Sequence, residues 1–176
     1  MKNIKTPPWY VLTGGPSCGK TTLIKKLKEL GYHTIPEAAR VLIDEYESRG
    51  IPAKELRKDE NFFQNKVLQM KIENEDKAPK NEIVFFDRGV PDSIAYFQID
   101  SMDTEKIKAI SKNRYKKIFF LEKLPFEEDY ARTEDQETVE KLNQLLLECY
   151  ENLEYEIIFL PVVSVEERVE IILSNL

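Results

Sequence analysis

The stretch Gly14-Gly15-Pro16-Ser17-Cys18-Gly19-Lys20-Thr21, followed by Thr22, constrains this chain more than any other part of it. It fits G-x-x-x-x-G-K-[ST], and each fixed position has a physical job. The glycines reach backbone angles closed to other residues and let amides approach an anion. Consecutive N–H groups then form a concavity for phosphate oxygens, which the start of the next helix extends. Lys20 supplies a point charge for the outer phosphates of a nucleoside triphosphate, expected to be ATP, and the Thr21 hydroxyl is a hard oxygen ligand for Mg²⁺. Such a loop requires a strand before it and a helix after it. The flanks agree. Trp9-Tyr10-Val11-Leu12 is an apolar run after Pro7-Pro8, and Leu23, Ile24, Leu27 and Leu30 recur at helical spacing before Gly31. Cys18 holds a variable position, where it is either a plain spacer or a redox switch.

The remainder alternates strand-like and helix-like segments. Strands are expected at His33-Thr34-Ile35, Ile83-Val84-Phe85-Phe86, Ile118-Phe119-Phe120-Leu121 and Tyr155 to Leu160. Helical patterns cover Glu37 to Ser48, one run from Pro52 to about Lys77, Pro91 to Ile99, and Thr104 to Lys112. Thr133 with Gln136 resembles a capping box opening a helix to about Leu153, and Ser164 with Glu167 a second one opening the last helix. Apolar strands separated by helices predict an α/β fold: a five-stranded, mostly parallel sheet with helices on both faces. We expect one domain over residues 1–176. Leu124 to Arg132 is the one charged, aperiodic piece, and it suits a short lid over about 124–133.

Charge and cysteine usage exclude several classes. The net charge is −6, from 32 acidic against 26 basic residues, so the chain's field repels a polyanion and no nucleic-acid partner is expected. Cys18, Cys149 and the lone His33 cannot make a zinc site at any usual spacing. No apolar run approaches the roughly 20 residues of a membrane span, and Met1 to Pro8 has no apolar signal core, which predicts a cytoplasmic location. The guanine-reading N-K-x-D is absent. Asp87 is followed by Arg88 rather than the Glu of ring-forming motors.

In a parallel sheet, ligands gather at the carboxyl ends of the strands. Asp87 ends an apolar strand, where a carboxylate holds Mg²⁺ directly or through water. Arg88 follows, and either grips a phosphate or acceptor or forms a surface pair with that acid. Glu37 follows the second strand. It either takes or orients the proton of an acceptor hydroxyl or simply favours a helix N-terminus. Arg40, one turn on, is a salt-bridge partner or an anion ligand. His33 and Trp9 read as structural.

Four segments together resemble one family. They are Leu12-Thr13-Gly14-Gly15-Pro16 with Gly19-Lys20-Thr21-Thr22, Pro36-Glu37-Ala38-Ala39-Arg40, Asp87-Arg88-Gly89-Val90-Pro91-Asp92, and Pro161 to Arg168. The family is the AAA-type ATPase/kinase-like P-loop family related to the ribosylnicotinamide kinase domain of a bacterial NAD-biosynthesis regulator. The resemblance implies a nucleoside-kinase-like core and a lid that carries Arg132. Two functions are consistent with this. In the first, a kinase binds ATP and Mg²⁺ and uses Lys20, Glu37, Asp87 and Arg132 in transfer to a small-molecule, nucleoside-like or ribosyl acceptor held by Glu37, Arg40 and Arg88. The second is a nucleotide-dependent switch or slow ATPase acting through a protein partner. The adenine is expected near Pro161 to Ser164.

Overall fold

The computed structural model describes residues 6–123 and 136–176. Its strands are β1 (Trp9–Thr13), β2 (His33–Ile35), β3 (Val84–Asp87), β4 (Lys117–Leu121) and β5 (Ile157–Leu160). Its helices are α1 (Lys20–Glu29), α2 (Ala38–Ser48), α3 (Ala53–Leu56), α4 (Glu60–Lys77), α5 (Asp92–Ile99), α6 (Glu105–Ile110), α7 (Gln136–Asn152) and α8 (Val165–Ser174). The strands lie in the order β2-β3-β1-β4-β5. Every pairing is parallel, where the sequence predicted a mostly parallel sheet.

Both faces of the sheet are covered, and successive strand residues supply opposite faces. Tyr10, Leu12, Phe85, Phe119 and Leu121 pack with Leu23, Ile24 and Leu27 of α1 and with Val169 and Ile172 of α8. Trp9, Val11, Val84, Phe86 and Ile118 turn the other way and meet Tyr115 and, from α7, Tyr150. Phe120 joins Ile94 of α5 and Leu142 and Leu146 of α7 in a neighbouring cluster. Trp9 is structural, as expected: it is buried, and its Nε1 donates to the Pro79 carbonyl at 2.8 Å.

One segment corrects the sequence reading. Pro52 to Lys77 is two helices rather than one. The break lies at Arg57 to Asp59, and the Asp59 side chain caps α4 by accepting from the Phe62 N–H at 2.9 Å. The apolar stripe continues through Leu56, Phe63 and Val67 because both helices pack on Ala38 and Leu42 of α2. Periodicity therefore survived a break that the cap chemistry imposed. The Ser164–Glu167 capping box is formed in full. The Thr133–Gln136 box, the expected lid and Arg132 lie outside the described residues. Among the described residues no helix is long and apolar enough to cross a membrane.

Candidate functional site

The loop between β1 and α1 turns through left-handed backbone at Gly14 (φ 137°), Ser17 (φ 56°) and Gly19 (φ 94°). Gly14 is required on two counts. Its φ is closed to ordinary side chains, and a Cβ there would stand 2.7 Å from the Leu121 carbonyl oxygen at the end of β4. Two distant side chains fix the loop from outside. Asn143 of α7 accepts from the Gly15 N–H at 2.8 Å. Arg168 of α8 donates to the Cys18 carbonyl at 2.7 Å and to the Pro161 carbonyl at 2.7 Å. Inside the curve, Lys20 Nζ donates to the carbonyls of Gly15 (3.0 Å) and Gly14 (3.3 Å). Burial, helped by nearby Arg88, lowers the Lys20 pKa from the usual lysine value. Cys18 is fully buried, with its sulfur 3.4 Å from Lys20 Nζ, and it packs into the α1 core. It is a wall of the loop rather than a spacer.

The strand order brings the acid next to this loop. Leu12 pairs with Asp87 across β1 and β3, and Arg88 N–H donates to the Leu12 carbonyl at 3.0 Å. Asp87 is buried, and its Oδ1 has no hydrogen-bond partner among the described residues. Burial, with the Glu37 charge, pushes its pKa up to about 6 against the pull of Lys20 and Arg88. An orphaned, desolvated carboxylate oxygen is costly to leave bare. It fits a divalent cation, so the residues present suit Mg²⁺, with Thr21 in the first turn of α1 as the hydroxyl donor.

Beyond Asp87 the chain turns sharply. Arg88 takes left-handed backbone (φ 67°), strained for a non-glycine residue. Its buried guanidinium lies between two acids, with Nε 3.2 Å from Glu37 Oε1 and Nη1 3.3 Å from Asp92 Oδ1. It also lies 5.5 Å from the Tyr96 ring centre. Glu37 comes from the turn after β2, which runs beside β3 with Ile35 opposite Phe86. Of the two roles left open for Arg40, the salt bridge with Glu37 is not formed among the described residues. Glu37 bonds to Arg88, while Arg40 is exposed and makes no ion pair with it.

Asp92 ties this corner together. It is fully buried at the start of α5. It accepts from the hydroxyls of Thr13 and Tyr150, from the Gly89 N–H at 2.7 Å, and from Arg88. Burial alone would raise its pKa, but Lys71 and Arg88, with those hydroxyls, hold it below the ordinary aspartate value. Behind the turn, Glu75 accepts from the Tyr115 hydroxyl, which in turn accepts from the Val90 N–H at 2.8 Å. A Cβ at Gly89 would lie 2.7 Å from that hydroxyl.

A cleft of about 260 Å³ adjoins the loop. Pro16, Glu37, Arg40, Lys71, Arg88 and Tyr96 are among its lining residues. Lys71, like Tyr96, is one the sequence did not mark. It sits mid-way along α4, where a lysine ordinarily reads as a solvated face. Here it is buried, and its Nζ donates to Ser93 Oγ at 3.0 Å. Asp92, Arg168 and Asn143 were also missed as site residues. Asp92 and Arg168 carried a signal, as the last residues of the Asp87–Asp92 and Pro161–Arg168 segments; Asn143 carried none.

Comparison with known proteins agrees with this layout. The family model described as an AAA domain matches residues 9–168. Among solved structures, the NadR protein in complex with NR superposes with a TM-score of 0.67 at 18% identity, covering 94% of this chain and 48% of NadR. The chain thus spans about half the length of that protein. Deoxyadenosine kinase from M. mycoides with bound dATP gives 0.64 at 17% identity over 95% of this chain and 97% of that one. Thymidylate kinase from Ehrlichia chaffeensis gives 0.69 at 16% identity, over 96% and 98%. No curated protein sequence matches the chain. The phosphate loop, the parallel sheet and the family match over nearly the whole length lead to one conclusion: this chain belongs to the AAA-domain family and has the fold of P-loop nucleoside and nucleotide kinases.

Proposed function

We propose that this protein is an ATP-dependent small-molecule kinase that transfers the γ-phosphoryl group to a nucleoside-like or ribosyl acceptor. The observation that carries the reading is the cleft shared by Pro16 of the phosphate loop and by Glu37 and Arg88. Hydrolysis needs room beside the phosphates only for a water, about 30 Å³ of liquid volume. The cleft is several times larger and is walled by side chains of α2, α4 and α5 as well as the loop.

In this reading Lys20 leaves the loop carbonyls to neutralise the outer phosphates. An acceptor hydroxyl lies against Glu37, which Arg88 holds in place. As the acceptor oxygen bonds to the γ-phosphorus, its proton passes to Glu37. The bridging P–O bond breaks, and ADP leaves with the electron pair. Mg²⁺, held by Thr21 and Asp87, would neutralise charge on the phosphate oxygens. The adenine is assigned to Pro161 to Ser164. In support, Arg168 joins Pro161 to Cys18 of the loop, and Val162 and Val163 are exposed beside it.

An ADP-release assay with and without a panel of nucleosides and related hydroxyl compounds tests the proposal. The expected result is at least a tenfold rise in turnover with the true acceptor. Rates that no acceptor changes would contradict it and leave a switch or slow ATPase.

A further inference from the structure

The cleft beside Glu37 holds more positive charge than a neutral acceptor requires. Arg40, Arg57, Lys71 and Arg88 line it, against Glu37 and Asp44. Two of these cations are matched by acids. Arg57 Nε lies 2.9 Å from Glu60 Oε1, and Arg88 is divided between Glu37 and Asp92.

Lys71 and Arg40 differ. Lys71 is 6% exposed, and among the described residues its only hydrogen-bond partner is the Ser93 hydroxyl. An ammonium has three donors, so Lys71 retains capacity. Burial lowers its pKa to about 8, even though Asp92 pulls the other way. A charged group kept in a low-dielectric wall with unused donors is costly until an anion meets it. Arg40 is exposed at the same cleft and makes no ion pair among the described residues. Glu37 repels an anionic group, which leaves the unused donors of Lys71 and Arg40 to hold it while the reacting hydroxyl lies at Glu37.

We propose that the acceptor is itself an anion, a hydroxyl compound carrying a phosphate monoester or a carboxylate, and that Lys71 with Arg40 binds that group. This deepens the kinase reading and rests on it for the role of the cleft. A phosphate monoester carries about −1.5 to −2 charges at neutral pH and a carboxylate one. Matched ligand pairs therefore separate the two sources.

The test is a binding measurement, so it does not depend on transfer. The full chain, saturated with Mg²⁺ and a non-hydrolysable ATP analogue, is titrated calorimetrically with matched pairs. These are nucleosides against their 5′-monophosphates, and neutral polyols against the corresponding hydroxy acids. At least one anionic member is expected to bind ten times or more tightly than its neutral partner. Lys71→Met should remove that preference with analogue affinity unchanged, Lys71→Arg should retain it, and Arg40→Ala should weaken it severalfold. Equal or tighter binding of the neutral members overturns the proposal. So does a preference that survives Lys71→Met, or a panel in which no anion binds. Anion binding without any phosphoryl transfer would sink the kinase reading alone. Phosphorylation of a neutral nucleoside, with its monophosphate ignored, would sink this proposal alone.

Discussion

The two walls of the crevice are held in opposite ways. The phosphate wall is mostly backbone: a strand, a glycine-rich turn and a helix start, contiguous from Trp9 to Glu29. The acceptor wall is mostly side chain. Glu37, Lys71 and Arg88 line it from the edge of α2, from α4 and from the turn after β3; Arg88 is paired with Glu37 and Asp92, and Lys71 is bonded to Ser93. A backbone wall binds what every nucleoside triphosphate shares. A side-chain wall can be re-specified one residue at a time, and in the proposed kinase it is where the choice of acceptor would reside.

The acceptor wall should fail most visibly at Asp92. Asp92→Ala removes a counter-charge of buried Arg88 and the acceptor of two hydroxyls. Breaking a buried ion pair typically costs about 3–5 kcal/mol. Urea denaturation should show a loss of that order. A loss under about 1 kcal/mol would mean that the acceptor wall does not depend on this hub. On the phosphate wall, Lys20→Ala should leave urea stability within about 1 kcal/mol, because only loop carbonyls and a thiol lose a partner. It should nonetheless weaken ATP·Mg²⁺ binding roughly 10- to 100-fold, the scale of a charged hydrogen bond. Unchanged affinity by calorimetry would contradict the loop assignment.

The smallest effect runs the other way. Lys71 has a folded pKa of about 8, below the usual 10.5. The unfolded chain therefore binds its proton more tightly, so its burial opposes folding. That cost is fully present below about pH 8 and fades as pH rises toward 10.5. Lys71→Met should accordingly stabilise the free protein at pH 7 by about 1–2 kcal/mol. The gain should shrink between pH 8 and 10.5 in denaturation curves. A destabilised variant at pH 7 would show that Lys71 is a structural cation.

The same contrast explains what was legible in the sequence. The phosphate loop could be read whole because its parts are neighbours in the chain. Asp87 and Glu37 could be placed because each ends a recognisable strand. The contacts that complete the site span far longer separations. Arg168 meets Cys18 across 150 positions, Asn143 meets Gly15 across 128, and Tyr150 meets Asp92 across 58. Apolar periodicity assigns a face to a helix but not the partner that face meets. For that reason nothing in the sequence marked Lys71, and Arg40 stayed open between a salt bridge and an anion ligand. The split of α3 from α4 was readable in principle, since Asp59 before Glu60 is a cap signal, but the unbroken apolar stripe concealed it.

In the proposed reaction the crevice passes a phosphoryl group from ATP to a second molecule under the control of Glu37. The most direct measurement uses γ-labelled ATP and follows the label into the acceptor panel, in the wild-type protein and in Glu37→Gln. Labelled acceptor is expected from the wild type. The variant should make it roughly 10²-fold or more slowly, the usual scale for a lost general base, while binding ATP as before. Label recovered only as inorganic phosphate, at the same rate in both proteins, would rule out transfer through Glu37.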